Sequence, residues 1–87
     1  MSDTQDASQL RVMVVDDHPM WRDGVARDLS DAGFEIVATA DSSGAAGRRA
    51  GAVQPDVVLM DMQLPDGNGA EATASVLEVS PRTRVLV

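Results

Sequence analysis

The chain has 87 residues, enough for one small domain, with a formal net charge of −7 and no cysteine. The lack of cysteine excludes disulfide bonds, thiolate metal sites and thiol catalysis. The acidic balance argues against direct nucleic-acid binding through phosphate neutralisation. No apolar stretch approaches the roughly 20 residues that cross a bilayer, and the polar start MSDTQDASQ lacks the order of a secretory signal. We therefore expect a cytoplasmic protein with no membrane partner.

Short apolar runs predict four parallel strands. The runs LRVMVV and DVVLM are rich in valine and lack the polar alternation of a strand with one wet face. This pattern is typical of strands that are buried on both faces of a sheet. EIVATA and RVLV indicate two further strands, and a flexible tail is expected over residues 1–9. The predicted strands cover residues 10–15, 35–40, 56–60 and 84–87.

The first of three predicted helices begins at the sequence HPM. Pro19 stands in its first turn, where the missing N–H costs nothing, and Asp17 or His18 can cap that turn. Trp21 opens the apolar stripe of this helix and is expected to be partly buried. Gly33 marks the end of the helix.

The second and third predicted helices have weaker patterns. The second follows polar cap candidates at residues 41–43 and ends near residue 53, with three glycines that each cost about 0.5–1 kcal/mol against alanine. The third covers residues 70–79. One of its faces carries Ala70, Thr73 and Leu77. The loop MQLPDGNG between strand three and this helix contains turn sequences, and Asp66 is interpreted as a turn residue.

The order β-α-β-α-β-α-β indicates an α/β fold with a doubly wound parallel sheet, because the connections are long enough for right-handed crossovers. With the second strand outside the first, the strand order is 2-1-3-4 and strands one and three are neighbours. Ligands bind outside the carboxyl ends of the strands at such a switch point. Asp16 and Asp17 follow the first strand and Asp61 follows the third. These three carboxylates are therefore expected to converge in one crevice.

Converging carboxylates require a proton, an arginine or a cation, because two like charges about 4 Å apart repel by roughly 4 kcal/mol at an effective dielectric near 20. Arg22 is a full turn into the helix and is not an obvious counter-charge. Oxygen ligands in an open site suit Mg²⁺, and a carboxylate beside Mg²⁺ can be the nucleophile of phosphoryl transfer. Asp61, alone at its strand end, is the better nucleophile candidate, and Asp16 and Asp17 are the better metal ligands.

Two motifs, VVDDHPMWRDG and PDVVLMDMQLPDGNG, resemble the receiver domain of bacterial two-component response regulators, which has a flavodoxin-like fold. The match runs from residue 10 to residue 87, and it is most similar to the subfamily with a C-terminal helix-turn-helix output. The resemblance implies that Asp61 accepts a phosphoryl group from a sensor histidine kinase. It also implies that Mg²⁺ is bound by Asp61 and Asp17, by Asp16 mainly through water, and by the backbone carbonyl of Gln63. The Gln63 side chain is then expected to overhang the phosphoryl group.

The resemblance further implies parts that lie beyond this sequence. A receiver continues with a Ser or Thr at the tip of the fourth strand, a Lys at the end of a fifth strand and two more helices, whereas this sequence contains no lysine. We therefore expect a receiver truncated after its fourth strand, with a DNA-binding output domain beyond residue 87. An open sheet edge predicts a chain that is oligomeric or poorly folded in solution, with a homodimer as one possible form.

Two other functions compete with the receiver as interpretations of this sequence. A haloacid-dehalogenase-type phosphatase carries its nucleophile at the end of the first strand and an acid/base aspartate two residues later, where this chain has His18 after Asp16. The third interpretation is that the chain is a non-signalling assembly fragment. His18 is interpreted as a helix-entry residue, because no second histidine or cysteine accompanies it as a metal ligand. The receiver reading predicts a single phosphorylation event and slow hydrolysis, not the turnover of an enzyme.

Overall fold

A computed structural model describes residues 10–87, and the predicted tail over residues 1–9 lies outside this range. The strand bounds differ from the predicted ones by at most one residue, apart from two short strands that were not predicted. The elements in chain order are β1 (Arg11–Val15), α1 (Pro19–Asp31), β2 (Glu35–Ala40), α2 (Ser43–Val53), β3 (Val57–Met60), β4 (Gln63–Leu64), β5 (Gly67–Asn68), α3 (Gly69–Val79) and β6 (Arg84–Leu86).

The main sheet has four parallel strands in the order β2-β1-β3-β6. This arrangement confirms the predicted α/β fold and strand order, because β6 is the fourth strand expected from the sequence. The short strands β4 and β5 form a separate antiparallel hairpin within the loop MQLPDGNG. The sequence predicted only a turn there, whereas Leu64 of β4 is buried in the core and holds the hairpin against the domain.

The main core lies between the sheet and the pair formed by α2 and α3. Met13 and Val15 of β1 point into it together with Val58 and Met60 of β3, which alternate along their strands as the pleat requires. Met60 is buried in this core, since only 5% of its surface is exposed. The helices contribute small residues to this core, namely Ala45, Ala46, Ala50, Ala72 and Val76.

The opposite face of the sheet is covered by α1, and this face is less completely buried than the one under α2 and α3. No residue of α1 is buried within the described chain, and Leu86 at the edge strand is 56% exposed. The prediction that Trp21 is partly buried is wrong, because 66% of this residue is exposed. An apolar groove of about 230 Å³ remains between α1 and the sheet. Its lining consists of Leu10, Val12, Leu29, Phe34, Val57, Leu59 and Leu86.

The buried face of α3 is not the one shared by Ala70, Thr73 and Leu77 but is shifted from it by one residue. The helix buries Gly69, Ala72 and Val76, whereas Leu77 of the predicted face is 38% exposed. The reason is the close contact with α2, where a Cβ on Gly47 would lie 3.4 Å from the Cβ of Ser75. Small side chains suit this contact, whereas Leu77 is two residues from Ser75 and so lies on nearly the opposite side of the helix.

The three helices begin in different ways. The side chain of Ser42 caps α2 by accepting the N–H of Ala45, and Asn68 caps α3 in a reciprocal capping box. Pro19 stands at the start of α1 as predicted, with His18 at the N-cap position. His18 is therefore the predicted N-cap residue by position, but within residues 10–87 neither its side chain nor that of Asp17 makes a capping hydrogen bond to α1. None of the helices in the described chain is long and apolar enough to cross a membrane.

Candidate metal centre

The parallel pairing of β1 with β3 brings the two acidic motifs together. Val15 and Met60 are direct partners in the ladder, so Asp16 and Asp61 follow them side by side at the carboxyl edge. The backbone N–H of Asp61 donates to the carbonyl of Val15 at 3.0 Å, which extends this ladder by one residue. The sheet therefore fixes the relative position of both carboxylates, as the sequence predicted.

Four side chains form an acidic cluster at this edge. One carboxylate oxygen each from Asp16, Asp17 and Asp61 and a ring nitrogen of His18 all lie within 4.8 Å of one another. Asp16 is buried, with 8% of its surface exposed, while the Asp17 side chain is 35% exposed. The predicted convergence of the three carboxylates is thus observed, and His18 is an additional member.

His18 contacts two carboxylates of this cluster. Its Nδ1 atom lies 3.0 Å from Oδ1 of Asp16 and 2.9 Å from Oδ1 of Asp17, and its backbone N–H donates to the same Asp16 oxygen at 2.9 Å. The hydrogen bond with Asp16, followed by the negative charge of Asp17, raises the pKa of His18 above its usual value. The interpretation of His18 as a helix-entry residue alone therefore misses its contact with both carboxylates.

Arg22 also reaches the site, although the sequence offered no obvious arginine there. Its Nη1 atom donates to the backbone carbonyl of Asp16 at 2.8 Å, from one turn inside α1. This bond satisfies a carbonyl in the β1–α1 connection and brings a positive charge beside the acidic cluster. No spacing rule predicts this contact, because a long side chain reaches back to a backbone carbonyl outside the helix.

The chain after Asp61 is held close to the start of α3. The N–H of Gln63 donates to Oδ1 of Asp61 at 3.2 Å, and the N–H of Gly69 donates to the carbonyl of Met62 at 2.9 Å. A Cβ on Gly69 would lie only 2.8 Å from the backbone oxygen of Asp61. Gln63, whose carbonyl is the fourth predicted metal ligand, is exposed and opens β4 beside Asp61.

An open cavity of about 320 Å³ lies beside the cluster. Asp16 and Asp61 form its polar part, and Trp21 and Met62 are among its apolar walls. Trp21 is thus exposed to solvent but stands next to the carboxylates, where its fluorescence can report on binding. The donor set of three carboxylates fits a hard divalent cation such as Mg²⁺, since oxygen ligands and open positions for water are what that ion prefers.

A family model, related sequences and solved structures all indicate the same protein family. The model of the response regulator receiver domain matches residues 12–87. The response regulator GacA of Pseudomonas viridiflava is 42% identical over 78 residues, which cover 88% of this chain and 36% of that relative. The protein-glutamate methylesterase/protein-glutamine glutaminase 2 of Anaeromyxobacter dehalogenans is 39% identical over 79 residues, which cover 90% of this chain and 23% of that relative.

A third relative is also represented by a solved structure. The probable transcriptional regulatory protein NarL of Mycobacterium tuberculosis is 42% identical over 80 residues, which cover 91% of this chain and 37% of that relative. The structure of the signal receiver domain of the putative response regulator NarL from this species superposes with a TM-score of 0.80, at 41% identity, over 88% of this chain and 63% of that one. The chain thus spans just over a third of the length of GacA and NarL. Because the family model matches nearly all of the described residues, the chain belongs to the response regulator receiver domain family.

Proposed function

We propose that this chain is the phosphoacceptor module of a two-component signalling pathway, which receives a phosphoryl group from a sensor histidine kinase on Asp61. The observation that carries the proposal is the convergence of Asp16, Asp17 and Asp61, with ligand atoms within 4.8 Å of one another at the ends of two adjacent strands. Like charges this close favour a cation between them. Asp61 is the one member of the three that follows β3, and its side chain is bonded to the loop after that strand.

Each residue of the site has a defined task in this proposal. Asp17 and Asp61 would hold Mg²⁺ directly, Asp16 would hold it mainly through water, and the backbone carbonyl of Gln63 would complete the protein's share of the ligands. The bound ion supplies neutralisation of the phosphoryl oxygens. An Asp61 carboxylate oxygen attacks phosphorus, forming the P–O bond while the P–N bond to the kinase histidine breaks. The N–H of Gln63, 3.2 Å from Oδ1 of Asp61, orients the attacking carboxylate.

Three arguments favour a switch over a turnover enzyme. Membership of the receiver family argues against the haloacid-dehalogenase-type phosphatase. Asp61 on β3 is the nucleophile candidate, whereas such a phosphatase needs the nucleophile after β1. The position two residues after Asp16 holds His18, which contacts the carboxylates and is not a second aspartate. We therefore propose self-phosphorylation and slow hydrolysis, in the cytoplasm, as the chemistry of this module.

The whole protein's output is proposed to be transcriptional. A relative that is 42% identical carries the name of a probable transcriptional regulatory protein, which supports a DNA-binding domain outside this chain. The formal charge of −7 argues that these residues do not themselves bind DNA. The methylesterase relative shows that an enzymatic output is the competing possibility.

Trp21 fluorescence tests the proposal. The intrinsic emission is expected to change saturably with Mg²⁺ and to change again with beryllofluoride, a phosphoryl mimic, when Mg²⁺ is present. The Asp61→Asn variant should lose the beryllofluoride response. Incubation with phosphoramidate should add a single phosphoryl group that hydroxylamine removes, as expected for an acyl phosphate. Phosphorylation that persists in Asp61→Asn, or continuous release of phosphate from a monoester, would refute the assignment.

A further inference from the structure

The tip of the β4–β5 hairpin is bonded to a helix distant in sequence. Asp66 accepts the backbone N–H of Ser43 at 2.7 Å through Oδ1 and that of Gly44 at 3.0 Å through Oδ2. These are among the first N–H groups of α2, which have no partner within the helix. The N–H of Gly44 and then that of Ser43 lower the pKa of Asp66. We call this pair of hydrogen bonds the Asp66 link.

The Asp66 link does more than cap α2, because the helix already has a cap from its own sequence. Ser42 accepts the N–H of Ala45 at 3.1 Å through its hydroxyl. Asp66 approaches from 23 residues away and joins the loop after β3 to the loop after β2. The interpretation of Asp66 as a turn residue alone therefore omits its long-range contact.

The other end of the same hairpin is held at the metal centre. Gln63 donates its N–H to Oδ1 of Asp61 at 3.2 Å, and Gly69 donates to the carbonyl of Met62 at 2.9 Å. Leu64, 8% exposed, fixes the middle of the hairpin in the core. Gln63 thus lies between Asp61 and the tip of the β4–β5 hairpin. The Asp66 link sets the position of that tip.

We propose that Asp66 is a positioning residue for the metal centre, which holds the hairpin against α2 so that Gln63 presents its carbonyl to the cation. The inference rests on the proposed function, because it concerns the same cation. Binding free energies couple reciprocally, so a cation at Asp61 and Gln63 strengthens the Asp66 link in return. Metal binding is therefore transmitted to the first turn of α2.

Two matched variants test this role. Asp66→Asn keeps the side-chain shape but removes the charge and one acceptor oxygen, whereas Ser42→Ala removes a cap of the same helix without touching the hairpin. Mg²⁺ titrations followed by Trp21 fluorescence are expected to show about tenfold weaker binding for Asp66→Asn, the lower end of the range for residues that orient metal ligands. Ser42→Ala is expected to bind Mg²⁺ like the wild type.

Amide hydrogen exchange provides a readout within the wild-type chain. Mg²⁺ should slow exchange at Ser43 and Gly44, the donors of the Asp66 link, relative to Ala45, which bonds to Ser42. This comparison needs no substitution and therefore holds even where Asp66→Asn fails to fold. Equal protection of all three amides by Mg²⁺ would overturn the proposal.

The affinity measurements separate this inference from the proposed function. Wild-type affinity in a folded Asp66→Asn, or an equal loss in Asp66→Asn and Ser42→Ala, would overturn the positioning role and leave the metal centre intact. A wild-type chain without a saturable Mg²⁺ response, or an Asp61→Asn variant that titrates like it, would instead refute the proposed function and the positioning role with it.

Discussion

The contact between Gly69 and the backbone of Asp61 predicts a substitution with two separable effects. A Cβ built on Gly69 would lie 2.8 Å from the carbonyl oxygen of Asp61 and 3.0 Å from Cα of Met62. Ordinary contacts begin near 3.4 Å, so Gly69→Ala requires a shift of about 0.6 Å between two backbone segments. Backbone atoms cannot rotate away as a flexible side chain can, and overpacking of this kind costs about 1–3 kcal/mol.

The matched control is Gly24→Ala in the middle of α1. A Cβ at this position has nothing within 4 Å among the described residues. Alanine is the better helix former, so Gly24→Ala should raise the free energy of unfolding by about 0.5–1 kcal/mol. The same chemical change is thus expected to have opposite signs at the two sites.

Urea unfolding followed by circular dichroism measures both effects. With a slope near 1 kcal/mol per molar urea for a small domain, Gly69→Ala should lower the midpoint by about 1–3 M. Displacement of the Asp61 carboxylate by a fraction of an ångström should also slow phosphorylation by phosphoramidate roughly tenfold, since a misplacement of 1 Å can cost about a hundredfold. A Gly69→Ala variant as stable as the wild type, alongside a stabilised Gly24→Ala, would refute the claim that this contact is rigid.

Four further predictions follow from burial and charge. Met13→Ala should lower the free energy of unfolding, measured in urea, by about 2–5 kcal/mol, and Met20→Ala should lower it by less than about 0.5 kcal/mol. The reason is that Met13 is 0% exposed and Met20 is 90% exposed. Similar losses in the two variants would contradict the assigned core. Because its pKa is lowered in the folded protein, the Asp66 carboxylate stabilises the fold at pH values above the usual carboxyl pKa, near 4. This stabilisation is lost as the pH falls through the lowered pKa. The difference in Tm between wild type and Asp66→Asn should therefore shrink below about pH 4, and a constant difference would refute this. Mg²⁺ at a hundred times its Kd should stabilise the wild type by about 2.7 kcal/mol in thermal melts, and Asp17→Asn should lose this gain; an equal gain in the variant would exclude Asp17 as a ligand. The exposed apolar groove predicts association that rises with concentration in sedimentation velocity and is reduced by Leu86→Glu, whereas a cooperatively folding monomer at all concentrations would contradict it.

The position of the acidic residues was predictable because it depends on strand order alone. The runs ending at Val15 and Met60 are apolar without alternation, which indicated buried parallel strands. Parallel neighbours end at one edge of a sheet, so the residues that follow, Asp16 and Asp61, had to meet once the order was correct. The pairing of Val15 with Met60 is the observation that confirms this reasoning.

The face of α3 was not predictable by the same logic. Ala70, Thr73 and Leu77 have as regular a helical spacing as the buried residues Ala72 and Val76, and the two sets differ by a rotation of one residue. The choice between them is made by the partner helix, whose glycines and alanines allow close approach and favour small side chains. Spacing alone does not separate the two faces, and tertiary packing selects the one with Ala72 and Val76.

Side chains that bond to distant backbone groups were also beyond the reach of periodicity. Asp66 lies in a turn sequence, and nothing in the spacing of the loop indicates that its carboxylate meets Ser43, 23 residues earlier. Arg22 is a full turn into α1, which suggests that it is remote from the carboxylates, yet its long side chain reaches the carbonyl of Asp16.

These contacts have a common consequence for the site. The sheet brings the carboxylates together, whereas side chains bonded to backbone groups hold the loops beside them. Arg22 donates one hydrogen bond to the carbonyl of Asp16. Asp66 accepts two, from the N–H groups of Ser43 and Gly44. Substitutions in β1 or β3 should therefore unfold the domain, because they remove core contacts. Substitutions at Arg22 or Asp66 should instead leave the domain folded and change how well it binds the cation.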